Sequence, residues 1–246
     1  MKTKIKLALW IIILFVMHVN FSYAEGVWAI GLATQNLKGQ YEDSKTITAP
    51  ILTYEKGRFS ASTLDGVSYR LIGLKPKVNQ NWSLSLLLIP RAKPDFGDDK
   101  AHDSLNRKHG LDLGLKEVFV MGSIFFEIQA VSDLTNAHAG SEIRHKISYQ
   151  LQSLPVKISI GAVYRSSSLN QYLFGVEPSE ASGDLVEYAA EDSLTGFAGI
   201  GLSFPITQKL IGFGEIKYED MGALSNSPLI VDDKLIHSTL GIVYRW

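Results

Sequence analysis

The segment Ile236-His237-Ser238-Thr239-Leu240-Gly241-Ile242-Val243-Tyr244-Arg245-Trp246 closes the chain on a two-residue period. Ile236, Leu240, Ile242, Tyr244 and Trp246 share one face; Thr239, Gly241, Val243 and Arg245 share the other, as the alternating side chains of a strand require. The opposite end supplies the context. Lys2, Lys4 and Lys6 form a positive n-region, Leu7 to Val19 is an apolar run, and Ser22-Tyr23-Ala24 is a small-x-small cleavage site. The run is shorter than the roughly 20 residues of a transmembrane helix. Residues 1–24 are therefore expected to be a secretory signal peptide, and 25–246 the mature domain. An exported chain that alternates up to a terminal aromatic points to a barrel in a Gram-negative outer membrane.

Composition narrows the alternatives. Removing the signal peptide takes away three lysines and no acid, which makes the formal charge of −1 more negative by three. Such a mildly acidic chain offers no electrostatic case for nucleic acid. The chain holds no cysteine, which excludes disulfides, thiolate catalysis and cysteine-based zinc sites. Mean hydropathy is near neutral at +0.07, as expected when lipid-facing residues occupy every second position.

Alternation recurs along the chain. Val156, Ile158, Ile160, Ala162 and Tyr164 oppose Lys157, Ser159, Gly161 and Arg165. Ile143, Ile147, Tyr149 and Leu151 oppose Arg144, Lys146, Ser148 and Gln150. Leu111, Leu113 and Leu115 oppose Asp112, Gly114 and Lys116. Ala198, Ile200, Leu202 and Phe204 oppose Thr195, Gly199, Gly201 and Ser203. A soluble sandwich would show the same pattern, so the connections must decide. Strands are expected over 26–34, 46–55, 57–63, 66–73, 81–90, 110–119, 122–131, 142–151, 155–165, 194–204, 208–218 and 235–246. Between them, short turns alternate with long polar connections at 35–45, 91–109, 132–141, 166–193 and 219–234. Outer-membrane barrels have this asymmetry, with short periplasmic turns and long external loops. The expected fold is all-β, an antiparallel transmembrane β-barrel of about 12 strands. The parity requires Leu64-Asp65-Gly66 to be a tight outer hairpin; if 57–73 were one strand, the long loop 91–109 would land on the periplasmic side, and about 10 strands is the fallback count.

Aromatic residues cluster at expected strand ends: Trp28, Tyr54, Phe59, Trp82, Phe119, Tyr149, Tyr164, Phe204, Tyr218, Tyr244 and Trp246. Interfacial girdles would place them there. The opposite faces put Arg70, Lys116, Glu127, Lys146, Lys157, Glu215 and Lys217 in the lumen, long enough to bridge a narrow barrel.

Several fragments, in order, resemble one family: Tyr41-Glu42-Asp43-Ser44, Pro50-Ile51-Leu52-Thr53-Tyr54, Gly57-Arg58-Phe59, Asn81-Trp82-Ser83-Leu84, Tyr172-Leu173-Phe174-Gly175-Val176 and the terminal Gly241–Trp246. Together they are similar to the MipA/OmpV family of outer-membrane proteins, the MltA-interacting proteins. This chain has Asp43-Ser44 where Gly-Ser is usual, and closes on Trp246 where Phe is common. The resemblance implies a scaffold that brings a lytic murein transglycosylase together with a peptidoglycan synthase, within outer-membrane lipid and lipopolysaccharide. It implies no catalytic motif and no cofactor. The periplasmic turns around Leu74–Gln80 and Pro205–Lys209 would face the partners. Two other roles remain open: a narrow porin-like channel for small solutes, and a surface adhesion or receptor barrel using loops 91–109 and 166–193.

Candidate chemistry is sparse. His102 and His109 sit among Asp95, Asp98, Asp99 and Asp103, but the spacing fits neither an EF-hand nor a helical metal pair. No metal ligand, catalytic or cofactor residue is assigned from the sequence. His145, His237, Ser148 and Ser238 could be combined into a rim hydrolase, but His237 and Ser238 are strand neighbours on opposite faces and no nucleophile elbow is present. Gly199-Ile200-Gly201 lacks the rest of a nucleotide fingerprint; inward glycines are expected to serve packing. Asn81-Trp82-Ser83 falls on a strand and is not read as a glycosylation site. The chain is not expected to be an enzyme.

Overall fold

A computed structural model describes residues 26–39, 41, 44–73, 82–96, 105–183 and 185–246. Twelve antiparallel strands close into a barrel in which β1 pairs with β12. They are β1 (Val27–Lys38), β2 (Ser44–Lys56), β3 (Phe59–Ser62), β4 (Gly66–Gly73), β5 (Trp82–Arg91), β6 (Gly110–Met121), β7 (Ile124–Asp133), β8 (Ser141–Gln150), β9 (Val156–Arg165), β10 (Ser193–Pro205), β11 (Leu210–Asp220) and β12 (Lys234–Arg245). The signal-peptide segment and the turn at Leu74–Gln80 lie outside the described residues. A helix α1 (Ser167–Phe174) and a short 3-10 turn (Gly222–Asn226) sit in the last two long connections.

The hairpin expected at Leu64-Asp65-Gly66 is present, with Gly66 at φ +76°. Ser62 pairs with Gly66 across it, so the count is 12 and the loop parity holds. Short turns such as Gly57-Arg58 and Gly122-Ser123 share one end with the start of β1 and with Trp246. Strands run further than expected at the other end: β1 reaches Lys38 and β2 starts at Ser44, because Leu37↔Lys45 and Lys38↔Ser44 continue the ladder.

The barrel is apolar on the outside. Ile158 and Ile160 on β9, Ile200 and Leu202 on β10, and Leu240 and Ile242 on β12 are all exposed. A folded chain in water would bury these side chains; in lipid their exposure is the favourable state. Rings gather at the short-turn end. Trp28 and Tyr54 stand 4.5 Å apart, Tyr54 and Phe59 6.1 Å, and Tyr244 and Trp246 6.2 Å between centroids. Tyr164 and Tyr218 mark the opposite rim. Inside, glycine makes room for rings: a Cβ on Gly161 would lie 2.4 Å from Phe197 Cζ, and one on Gly241 2.3 Å from Phe213 Cζ.

Ile160 lies mid-strand beside Ile147 of β8 and Ala198 of β10. Ile160→Arg should lower the unfolding free energy in lipid vesicles by about 2–4 kcal/mol, read by urea titration. A loss below about 0.5 kcal/mol would mean that this face does not meet hydrocarbon.

Candidate functional site

The inward side chains build a charge network that links β5, β6, β8, β9 and β11 on the lumen side. Arg91 at the top of β5 donates from Nε to Asp112 Oδ2 on β6 at 2.7 Å. Its guanidinium also reaches past β7 to Glu142 on β8 at 3.9 Å. Glu142 further meets Arg144 at 3.1 Å and Arg165 of β9 at 3.7 Å. Arg165 then donates to Thr195 of β10 at 3.1 Å and to Glu219 of β11 at 2.6 Å. Lys217 pairs with the other Glu219 oxygen at 2.9 Å. Asp112, Glu142, Arg165 and Glu219 are all buried. Breaking one link of such a chain leaves its partner charged and desolvated, which is costly. Nearer the short turns, Glu127 holds Lys116 at 2.9 Å and Lys146 at 3.0 Å, and Lys157 stands 4.9 Å over the Phe125 ring.

Above the network the long connections fold into a cap. Leaving β9, Ser141 N–H donates to Ser166 Oγ at 2.9 Å and Ser166 N–H to Ser141 O at 3.0 Å. Asp192 accepts from the Ser167 N–H, satisfying a free donor in the first turn of α1. Asn170 donates to Glu191 O at 2.6 Å and Ser193 Oγ at 2.9 Å, folding α1 back onto the barrel. Leu169, Tyr172 and Phe174 are thereby buried. Phe174 packs with Met221, Leu224 and Leu235; Val176 packs with Phe96, Leu105, Leu185 and Leu229. Arg107, from the β5–β6 connection, ties the cap together: it donates to Tyr172 O and Gly175 O at 3.0 Å each and forms an ion pair with Glu180. Burial alone would raise the Glu180 carboxyl, but Arg107 and the Glu177 N–H hold it below its ordinary value. Burial pushes the Tyr172 phenol up. The 166–192 connection thus packs onto the barrel through α1 and Arg107.

Asp112, Asp133 and His138 bring three ligand-type atoms within 4.8 Å. Hydrogen bonds within the β7–β8 loop and to the network engage these atoms. Asp133 accepts the N–H groups of Thr135, His138 and Ala139 at 2.6–2.8 Å and the Thr135 hydroxyl at 2.9 Å. His138 Nδ1 accepts from Gly140 N–H at 3.1 Å, so Nε2 carries the proton and donates to Asp112 at 2.8 Å. These residues clasp the β7–β8 loop to the network.

The residues weighed for chemistry are dispersed. His145 and Ser238 take the outward parity of their strands, whereas Ser148 and His237 take the inward one. His102, Asp98, Asp99 and Asp103 lie outside the described residues. Asp95 instead pairs with Lys45 at 2.6 Å, and His109 accepts from Lys93 N–H at 3.3 Å. All seven expected lumen residues share the inward parity. Arg91, Arg107, Glu142 and Glu219 carry the site without having been singled out, and the alternation places Arg165 only on the polar face of its strand. Their signal was faint: each stands at or beyond an expected strand end.

Beneath Arg91 and Arg144 lies a cavity of about 630 Å³. Its wall includes Thr53, Ser60, Ser62 and Ser68 with Glu55, Lys116, Glu142 and Arg144. The size falls within the range of small-molecule sites.

Apolar residues outside and charged residues inside invert the plan of a soluble protein, and with the closed ladder they define the class: an outer-membrane β-barrel. The chain belongs to the family described as MltA-interacting protein MipA, whose profile matches residues 29–246. It is similar to the outer membrane protein Omp26La of Vibrio anguillarum, at 23% identity over 223 residues, covering 88% of this chain and 85% of the relative. Among solved structures it is similar to the NanC porin at 9% identity and TM-score 0.47, covering 87% of this chain and 98% of that one. It is also similar to the COG4313 outer membrane channel of Pseudomonas putida F1 at 10% identity and TM-score 0.47, covering 93% and 98%.

Glu180 gives the cap an acid-sensitive link. A carboxylate whose folded pKa is lowered stabilises above its unfolded value and loses that contribution as pH falls through the folded one. Protection of the 166–192 segment from protease should stay level from neutral pH down to the ordinary glutamate value of 4.5 and then decline. Arg107→Ala should raise cleavage there by about a hundredfold at neutral pH and flatten the acid dependence. Wild-type cleavage in the variant would remove Arg107 from the cap.

Proposed function

We propose that this barrel is an outer-membrane docking protein for periplasmic murein enzymes, exported by its N-terminal segment. The reading takes its partner class from the family description, an MltA-interacting protein. The observation that carries it is the inward charge chain from Lys217 to Asp112 beneath a packed cap, an arrangement that favours a wall over a wide pore. The short-turn rim supplies a surface. Leu154, in the β8–β9 turn, and Ile206, in the β10–β11 turn, are 53% and 50% exposed. Ser203 N–H donates to Pro155 O at 3.0 Å and holds these two turns side by side. Exposed apolar side chains on adjacent turns suit a protein partner.

A second reading, a narrow channel for small solutes, is favoured by the polar cavity. Mixed charges around it would give weak ion selectivity. Two measurements separate the readings. In mild detergent, a lytic transglycosylase should co-purify with the folded barrel and be lost from the double variant Leu154→Glu/Ile206→Glu. In planar bilayers the docking reading expects no discrete current steps from refolded, heat-modifiable protein. Clean purification alone together with reproducible steps would reverse the order.

A further inference from the structure

Among the described residues the barrel wall is incomplete beside β3 and β4. β2 pairs with β1 from Ser44 to Glu55 but with β3 only over Thr53–Lys56. On the far side, β4 begins at Gly66 and pairs with β5 only up to Leu88. Above the hairpin tip, and below the Lys45–Asp95 ion pair that joins the two sides, the β3-side edge of β2 and the β4-side edge of β5 therefore face each other with no described strand between them.

The residues at this break fit it. Thr63 closes its lower corner: its N–H donates to Leu52 O at 3.1 Å, its hydroxyl donates to Pro50 O at 3.2 Å, and Leu52 N–H donates to that hydroxyl at 3.2 Å. Leu52 and Pro50 therefore direct their backbone groups into the break. Leu88 O lies 2.4 Å from where a Gly66 Cβ would stand, so Leu88, and by the two-residue period Pro90, face it from the other side. A ladder N–H at position 50 or 90 would point into the break without a strand partner. Proline removes that donor, and this is where proline is tolerated in a sheet. Above Pro50 the same parity turns the N–H groups of Thr48 and Thr46 into the break, where none of the described residues accepts from them. Such donors are costly in hydrocarbon.

The outer surface shows that they need not meet hydrocarbon. On β1 and β2 the outward residues are Trp28, Ile30 and Leu32 beside Tyr54, Leu52 and Pro50. Above them they become polar: Thr34 and Thr48 share a hydrogen bond at 3.0 Å, and Asn36 donates to Ser44 and Thr46 at 2.9 Å each. The apolar belt therefore stops at Leu32 and Pro50 on this side, and the break opens at headgroup height. The cavity reaches it, because Leu64, Asp65, Pro90 and Ala92 belong to the cavity wall.

We infer that the break between β2 and β5 is a side window through which small, hydroxylated polar solutes enter the lumen cavity from outside, beneath the packed cap. The hydroxyls of Thr53, Ser60, Ser62 and Ser68 would hold such a solute between the Glu55 and Lys116 charges. The window stands whether or not the barrel conducts or docks an enzyme.

The cysteine-free chain allows a clean test. Ser68→Cys places a thiol in the cavity wall. On intact cells, a small membrane-impermeant reagent, trimethylammonium-ethyl methanethiosulfonate, should modify it, and adding Asp65→Trp at the window edge should slow the reaction by about tenfold or more. Ser62→Cys and Leu64→Trp repeat the design if either variant loses heat-modifiability. An unchanged rate with the window filled would overturn the inference. So would a rate raised about tenfold by Arg107→Ala, which would place entry at the axial mouth.

Discussion

Every backbone donor and acceptor in the hydrocarbon layer must find a partner inside the protein, and the rest of this structure follows from that constraint. It forces the β1–β12 closure and sets the continuous registers from β5 round to β2. It also explains the place beside β3 and β4 where the ladder of the described residues stops. There the donors are deleted by Pro50 and Pro90, met by Thr63, or raised to the polar layer at Thr46 and Thr48.

Once the wall is fixed, the two faces obey different rules. Outward residues need only be apolar, which β9 and β10 satisfy with Ile, Leu, Ala and Gly. Inward residues must fill a narrow lumen and satisfy one another. The protein does this in two ways. Phe197 and Phe213 press onto Gly161 and Gly241. The remaining space carries a charge chain in which each buried acid meets at least one base. The ion pairs earn no large net stability, since desolvation offsets much of the attraction. Their consequence is geometric: Arg91 and Glu142 join strands that are not neighbours, so the lumen cannot widen there without separating charges.

Local periodicity carried most of the fold. The alternation of Val156–Arg165 and of the final segment gave strands, faces and the lumen charges, and loop lengths gave the parity. The Asp65-Gly66 pair was enough to place the hairpin on which the count of 12 depends. The cap was hidden because α1 is a single eight-residue helix without acidic or basic end residues, stabilised by packing from distant connections. The charge chain was hidden because register across non-adjacent strands decides which bases meet which acids. The side window was hidden for a similar reason. Short β3 was visible, but the exposed edge it leaves on β2 depends on where pairing begins.

Amide hydrogen exchange of the barrel in lipid vesicles tests the governing constraint most directly. The ladder amides of β8 to β11 should be strongly protected, while those of Thr46 and Thr48 should exchange faster by about a hundredfold or more. Protection of Thr46 and Thr48 equal to that of the β9 amides would show a sealed wall and contradict the account.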